Sequence, residues 1–293
     1  MSFRIGFGNI AGAILVLGWN LFNRFNSKRH ILSIYLHNPQ KDVFENTVLY
    51  LKKKGFRFIS ADDLQKLLEQ KETLQGRTVV VTLDDAWRDN LQNVIPTAEK
   101  YQIPLTVFVP IQPLEDGALW LKWFRDKELQ QKFPEIGQQN PKKLSTTKRN
   151  ALWSQLKTAK RFEREIMTID DVKTLAKHPL ITLGGHTFTH PILPNCTTEE
   201  LEFELVTAYE KLHEITGIFT NVLAYPNGDY NDEVIAMSEK AGFNTAFTTE
   251  EGNYIDIEQS NPMLLPRNCV PNTYGKWEST ARALGFWQKV FKR

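Results

Sequence analysis

From residue 31 onward, short runs of β-branched and apolar residues alternate with stretches whose apolar side chains recur every three or four positions. That alternation limits the fold more than any other feature. The run Thr78–Leu83 (TVVVTL) is its clearest member. It lacks the apolar–polar alternation of a strand with one wet face, so it suits a strand covered on both faces in a parallel sheet. Residues 31–36, 56–59, Leu105–Val109, 180–183, 222–225, 243–248 and 264–270 also read as strands, about eight in all. Helical signals lie between them. Phe44, Val48 and Leu51 recur at i, i+4 and i+7, and Lys52, Lys53, Lys54 and Gly55 close that stretch as a solvated helix end. Ser60 is placed to cap Ala61–Gln70, with Asp63 as the acid of a capping box. Residues 89–101 predict a further helix, and Leu201, Leu205, Ala208, Leu212 and Ile215 form one face of a long helix that stops at Gly217. This order predicts parallel βαβ units in an α/β barrel or a doubly wound sheet.

Two stretches break the rhythm. Residues 113–165 carry an aromatic patch at 119–124 (LWLKWF) and a basic second half with Lys142, Lys143, Lys148, Arg149, Lys157, Lys160, Arg161 and Arg164. A mostly helical insertion across one mouth of the barrel is expected, its aromatics forming a small core and its charges a solvated face. A grip on sugar rings, an anionic polymer or lipid headgroups is the alternative. Residues 5–22 (IGFGNIAGAILVLGWNLF) contain no charge and are followed by Arg24, Lys28 and Arg29. Eighteen residues are at the lower edge for a bilayer span, Asn9, Asn20 and four glycines interrupt them, and no small-residue cleavage site follows. A helix packed on the domain or lying on a membrane surface is expected. The alternative is an uncleaved anchor with its basic cluster on the cytoplasmic side. The chain thus divides into a segment 1–30, a domain 31–270 with the insertion, and a C-terminal tail 271–293.

Lys+Arg 36 against Asp+Glu 34 leaves a net charge of +2 in 293 residues, no footprint for DNA or RNA, so no nucleic-acid partner is expected. Two cysteines, Cys196 and Cys269, supply neither a four-cysteine zinc site nor a disulfide framework. Any metal must rest on histidine and carboxylate.

Asp84 and Asp85 follow the strand Thr78–Leu83 directly. Adjacent like charges at that place repel, yet the C-terminal ends of barrel strands are where active sites form. His186 and His190 follow the next-but-one strand in His-Thr-Phe-Thr-His, after Gly184-Gly185 and before Pro191. Their spacing lets two imidazoles meet one ion, and the glycines and proline predict a tight strand-end loop. Asp85, His186 and His190 would leave coordination positions open for water and substrate, the mark of a catalytic metal. Asp84 beside them can serve as general base.

Residues 82–90 (TLDDAWRDN), 185–191 (GHTFTHP) and 223–230 (LAYPNGDY) resemble, in order, the first three motifs of the polysaccharide deacetylase family (NodB-homology, carbohydrate esterase family four). The resemblance spans roughly residues 31–270. It implies a distorted (β/α)7 barrel and metal-dependent removal of N-acetyl groups from an amino-sugar polysaccharide of a bacterial envelope, capsule or exopolysaccharide. The chain would be cytoplasmic or membrane-associated through residues 5–22. The resemblance carries the base role to Asp84, ligation of a divalent metal, foremost Zn2+, to Asp85, His186 and His190, and part of the oxyanion site to the backbone N–H of Asn227. Trp87, Tyr225, Pro226 and Asn227 are expected to line the substrate site.

Three departures bear on these roles. The first motif usually ends in glycine, and Ala86 stands there, tolerable if the backbone avoids positive φ. The third motif often carries a base-orienting arginine where this chain has Ala224; Arg267, late in the sequence, could approach the same carboxylate or form a rim salt bridge. No histidine follows His213 to act as general acid, which leaves His37, after the first strand, as the acid by position, with a structural loop histidine the alternative. Leu36, between Tyr35 and His37, would turn His37 away unless the strand ends first. A catalytically silent sugar-binding or assembly protein, or an O-acetyl esterase, is the alternative.

Overall fold

The computed structural model describes residues 2–22, 26–252 and 254–291. Its strands are β1 (His30–Leu36), β2 (Arg57–Ile59), β3 (Thr78–Leu83), β4 (Leu105–Val109), β5 (Ile181–Gly185), β6 (Val222–Ala224), β7 (Thr245–Phe247), β8 (Ile255–Asp256) and β9 (Asn268–Cys269). The sheet runs β7-β6-β5-β4-β3-β1-β8, with β2 also on β3 and β9 on β1. Every named strand pair is parallel except β1 with β8. Leu265 bridges Phe247 at one edge, while Asn268 and Cys269 pair with Ile34 and Tyr35 at the other. One late stretch thus curls the sheet back on its start, and the fold is a distorted (β/α)7 barrel rather than an open doubly wound sheet. Val79, Val80 and Val81 are all fully buried, as a run without polar alternation requires.

Register places the site. Leu36 lies opposite Leu83, Val109 opposite Gly185, Gly185 opposite Leu223 and Ala224 opposite Phe247. The residues that follow β1, β3, β5 and β6 therefore emerge at one level: His37, Asp84, His186 and Tyr225. Gly184 and Gly185 belong to β5 itself rather than to a turn. A Cβ on Gly184 would lie 2.5 Å from the Phe108 ring, and one on Gly185 would lie 2.7 Å from the Phe243 ring. The glycines let aromatic rings close against the strand backbone.

Helices α1 (Ser2–Phe22), α2 (Lys41–Lys53) and α3 (Ala61–Gln70) are followed by α4 (Asn90–Asn93) and α5 (Ile95–Tyr101). Ser60 and Asp63 close both halves of the capping box on α3. The expected helix over 89–101 is two, because Pro96 has no N–H to continue the ladder across Val94. The insertion contains α6 (Ile111–Asp116), α7 (Leu121–Arg125), α8 (Lys127–Lys132), α9 (Pro134–Gly137) and α10 (Thr146–Ala159). Trp120, Trp123, Phe124 and Trp153 are its own core. After α11 (Ile169–Leu175), the expected long helix appears as α12 (Thr198–Glu202) and α13 (Ala208–Thr216), joined by a wide π turn at Phe203–Thr207. Gly217, at φ 73°, ends it; α14 (Asp232–Ala241) follows.

The C-terminal segment expected as a tail is helical. It forms α15 (Lys276–Ala283) and α16 (Phe286–Val290), with Ala281, Ala283 and Leu284 buried. Helix α1 lies across α15. A Cβ on Gly12 would come within 2.5 Å of the Trp277 and Glu278 backbone, and Asn9 Oδ1 accepts from the Trp277 N–H at 2.7 Å. No helix among the described residues is long and apolar enough to cross a membrane.

Candidate metal and catalytic site

Leaving β3, Asp85 and Ala86 adopt φ of 73° and 52°. Two successive left-handed residues turn the chain sharply, so the neighbouring carboxylates part and face different partners. Ala86 therefore stands at positive φ, so the condition under which alanine is tolerable there is not met, and the glycine usual there would relieve the strain.

Asp84 is buried against Arg267. Nη1 donates to Oδ1 at 2.7 Å and Nη2 to Oδ2 at 2.9 Å. Arg267 is fully buried, not on the rim. Its Nε donates to the Thr248 carbonyl and its Nη1 also to Thr82 Oγ1, both at 2.9 Å. The rings of Tyr35, Phe108 and Phe247 surround the guanidinium at 4.6, 5.5 and 5.6 Å. Burial alone would raise the Asp84 carboxyl, but the Arg267 charge, helped by His186, holds it below its ordinary value.

Asp85 faces the histidines. His186 Nδ1 lies 2.7 Å from the Ala224 carbonyl. A carbonyl only accepts, so Nδ1 carries the proton and the neutral ring presents a bare Nε2. Asp85 Oδ1 lies 3.3 Å from that nitrogen and 3.2 Å from His190 Nε2, buried without a hydrogen-bond partner. Where His190 also presents a bare Nε2, three lone pairs converge there, and a cation or a shared proton among them relieves their repulsion. Two imidazoles and a carboxylate, with ligand atoms within 4.8 Å of one another, could hold a divalent ion and keep positions free. Among the described residues no other His/Cys/Asp/Glu group has that geometry. Against burial, the two imidazoles pull Asp85 well below the usual carboxylate range. Burial lowers His186 but Asp85 and Asp84 raise it on balance, whereas burial prevails for His190 and holds it down.

His37 Nε2 lies 3.9 Å from Asp85 Oδ2, its side chain partly exposed. Two positions apart, Tyr35 and His37 share a side of the chain, as strand alternation gives rather than the turning-away expected from Leu36, and the His37 ring lies edge-on to Tyr35 at 5.6 Å. The two aromatic residues expected to border the substrate site differ in burial, Trp87 half-buried and Tyr225 wholly buried. The Trp87 indole N–H donates to Asp85 Oδ2 at 3.1 Å, which makes it a support of the carboxylate. Tyr225 is wholly buried among Leu223, Val234 and Phe243, so its ring offers no face to a sugar. Pro226 is buried as well, while Asn227, at φ 60°, stands exposed at the mouth and is reached by Lys142 of the insertion. The Tyr225 N–H is spent on the Phe247 carbonyl at 3.1 Å. Cys196 packs at 3.1 Å from Thr146 Oγ1, its thiol pushed up to about 12 by burial. Sequence reasoning missed the roles of Trp87 and Trp120; the latter donates to the His190 carbonyl at 2.7 Å, and nothing local to either tryptophan signals it.

The family model described as polysaccharide deacetylase matches residues 71–246. The Bacillus subtilis (strain 168) protein YxkH is 23% identical over 217 residues, 74% of this chain and 60% of that protein. The chain thus spans about three fifths of that relative's length. Among solved structures, the Streptococcus pyogenes deacetylase PplD in complex with acetate superposes with a TM-score of 0.64 at 17% identity, covering 86% of this chain and 97% of that one. IcaB from Ammonifex degensii gives a TM-score of 0.62 at 18% identity, covering 88% and 98%. Both structures share the fold.

Proposed function

The chain belongs to the polysaccharide deacetylase family, and from that premise we propose that it is a metal-dependent hydrolase removing N-acetyl groups from an amino-sugar polysaccharide, such as an exopolysaccharide, or from its precursor. One observation carries the reading: an arginine-clamped carboxylate, Asp84, stands beside a cluster of inward-facing lone pairs on Asp85, His186 and His190. A divalent ion held there, zinc foremost, would supply a Lewis acid and bring the pKa of water from about 15.7 toward about 7.

The chain's own residues do the rest. Asp84, kept ionised by Arg267, accepts the proton of the attacking water at a carboxylate oxygen. Arg267 fixes both carboxylate oxygens, so the base cannot swing away. The Asn227 N–H donates to the oxygen that gains charge as the acetamide carbonyl is attacked. His37, partly exposed at the mouth, returns a proton from Nε2 to the departing amine. Arg267 bonded to Asp84 and His37 beside Asp85 support the enzyme reading over the silent binder that the missing motif arginine and late histidine allow. Acetate release from N-acetylglucosamine oligomers should require metal and fall at least about a hundredfold in Asp84→Asn, the low end for a lost general base. Turnover of O-acetyl but not N-acetyl sugars would replace amide by ester chemistry. Metal without turnover of either would favour a silent binder.

We also propose that α1 rests on an anionic membrane surface. Phe7, Ile10, Ile14 and Leu17, at i, i+3, i+7 and i+10, are 62–66% exposed along one side. Beside them an apolar hollow of about 440 Å³ between α1, α2 and α15 is bordered by Lys53, Lys54 and Lys276. An apolar stripe edged by lysines suits the boundary of an anionic bilayer. Sedimentation with anionic but not zwitterionic vesicles, lost in Ile10→Gln/Ile14→Gln, is expected. No difference between the two lipids would refute it.

A further inference from the structure

The loop that carries both histidines is strained. Thr187 and His190 have φ of 66° and 59°, a conformation costly to any residue bearing a Cβ, which persists only where the surroundings over-determine it. Those surroundings come largely from the insertion. The Thr187 and Phe188 carbonyls accept from the Ile111 and Gln112 N–H groups at 3.2 and 2.8 Å, and the His190 carbonyl accepts from the Trp120 indole. Arg149, buried on α10, donates to Thr189 Oγ1 at 2.6 Å and lies over the Trp120 ring at 5.2 Å.

Three further donors of the loop converge on one carboxylate. Glu204 Oε2 accepts from the Phe188 and Thr189 N–H groups at 3.0 and 2.7 Å, and Oε1 accepts from the Thr189 hydroxyl. Glu204 is buried, although Phe203 beside it is exposed. It sits in the π turn, a rare local widening that is frequent at functional sites. A buried carboxylate with three donors from the loop next to a metal ligand is more than a helix needs.

We propose that Glu204, Arg149 and Trp120 are positioning residues of the metal centre. They clamp the loop so that His190 Nε2 stays within reach of Asp85 Oδ1, and the insertion thereby sets metal affinity as well as covering the mouth. This deepens, and rests on, the metal-centre reading above.

Cobalt(II) added to the full-length chain tests it, read by its visible spectrum, together with amide exchange in the metal-free chain. Glu204→Ala should weaken cobalt binding about tenfold to a hundredfold, as loss of an outer partner of a ligand does. It should also alter the saturated spectrum and speed exchange at Phe188 and Thr189 at least about tenfold. A purely structural role would lower the melting temperature and leave that spectrum unchanged. Trp120→Phe, which loses one N–H, should cost about threefold to tenfold in affinity, and Glu204→Gln should recover most of the Glu204→Ala loss. If Glu204→Ala does not fold, Trp120→Phe and Arg149→Met decide. Folded clamp variants with wild-type affinity and exchange, beside an Asp85→Asn variant that no longer binds cobalt, would overturn the clamp alone. Failure of the wild-type chain itself to bind cobalt would overturn the metal reading, and the clamp with it.

Discussion

Replacing Arg267 by methionine removes the charge that opposes burial of Asp84 while keeping apolar bulk among Tyr35, Phe108 and Phe247. Two charge-assisted bonds, at 2.7 and 2.9 Å, disappear from a carboxylate that is 3% exposed. Leaving one member of a buried pair alone costs about 3–5 kcal/mol, and that is the loss expected near neutral pH. The pH dependence gives a second signature. In the wild type the folded carboxyl of Asp84 lies below its unfolded value. Its contribution is therefore present above the unfolded value and lost as pH falls through the folded one. Without Arg267, burial, the largest influence on this group, meets less opposition, so the carboxyl moves up. The variant's penalty is then greatest at neutral pH and shrinks as acid protonates Asp84. Urea unfolding of metal-free protein at about pH 7 and about pH 5 should show a smaller difference at the lower value. The acid limb of acetate release should move upward in pH. Asp84→Asn/Arg267→Met, lacking both charges, should regain about 2 kcal/mol or more over the sum of the single changes. A loss under about 1 kcal/mol that is equal at both pH values would refute the account.

Three further outcomes follow from single positions. Ala86→Gly, at φ 52°, should raise stability by about 1 kcal/mol and the melting temperature by roughly two to four degrees; a fall in melting temperature would show that the left-handed turn costs nothing. Gly12→Val sets a Cβ about 2.5 Å from the α15 backbone, so α1 should become open to proteolysis while cobalt still binds, and an α1 as resistant as before would contradict the packing. Zinc at about a hundred times its Kd should stabilise the chain by about 2.7 kcal/mol, a gain that Asp85→Asn abolishes if this carboxylate is a ligand and retains if it is not.

Much of the scaffold was readable in the sequence because its causes are local. Thr78–Leu83 and Leu105–Val109 are strands with the expected bounds, since β-branched runs leave a buried chain little else to form. Ala61–Gln70 is a helix with the expected cap, because Ser60 and Asp63 satisfy its first N–H groups from within four residues. The aspartate pair and His-x3-His could be singled out for the same reason: each is a short pattern of chemically distinctive side chains after an identifiable strand.

What joins those patterns lies far along the chain. Arg267 reaches Asp84 across 183 positions, because the stretch 265–269 leaves β7 and returns to β1; no local signal separates that arginine from a rim salt bridge. Trp87 became a support of Asp85, Tyr225 a core residue and the expected tail a pair of helices, because burial is set by neighbours distant in sequence. Composition and periodicity specify which side chains can ligate, cap or line a core, since those are properties of each residue and its nearest few. Only the closed barrel decides which lone pairs meet and which charge opposes burial of the base, because Coulomb and hydrogen-bond energies depend on distances in space that the chain's order does not contain.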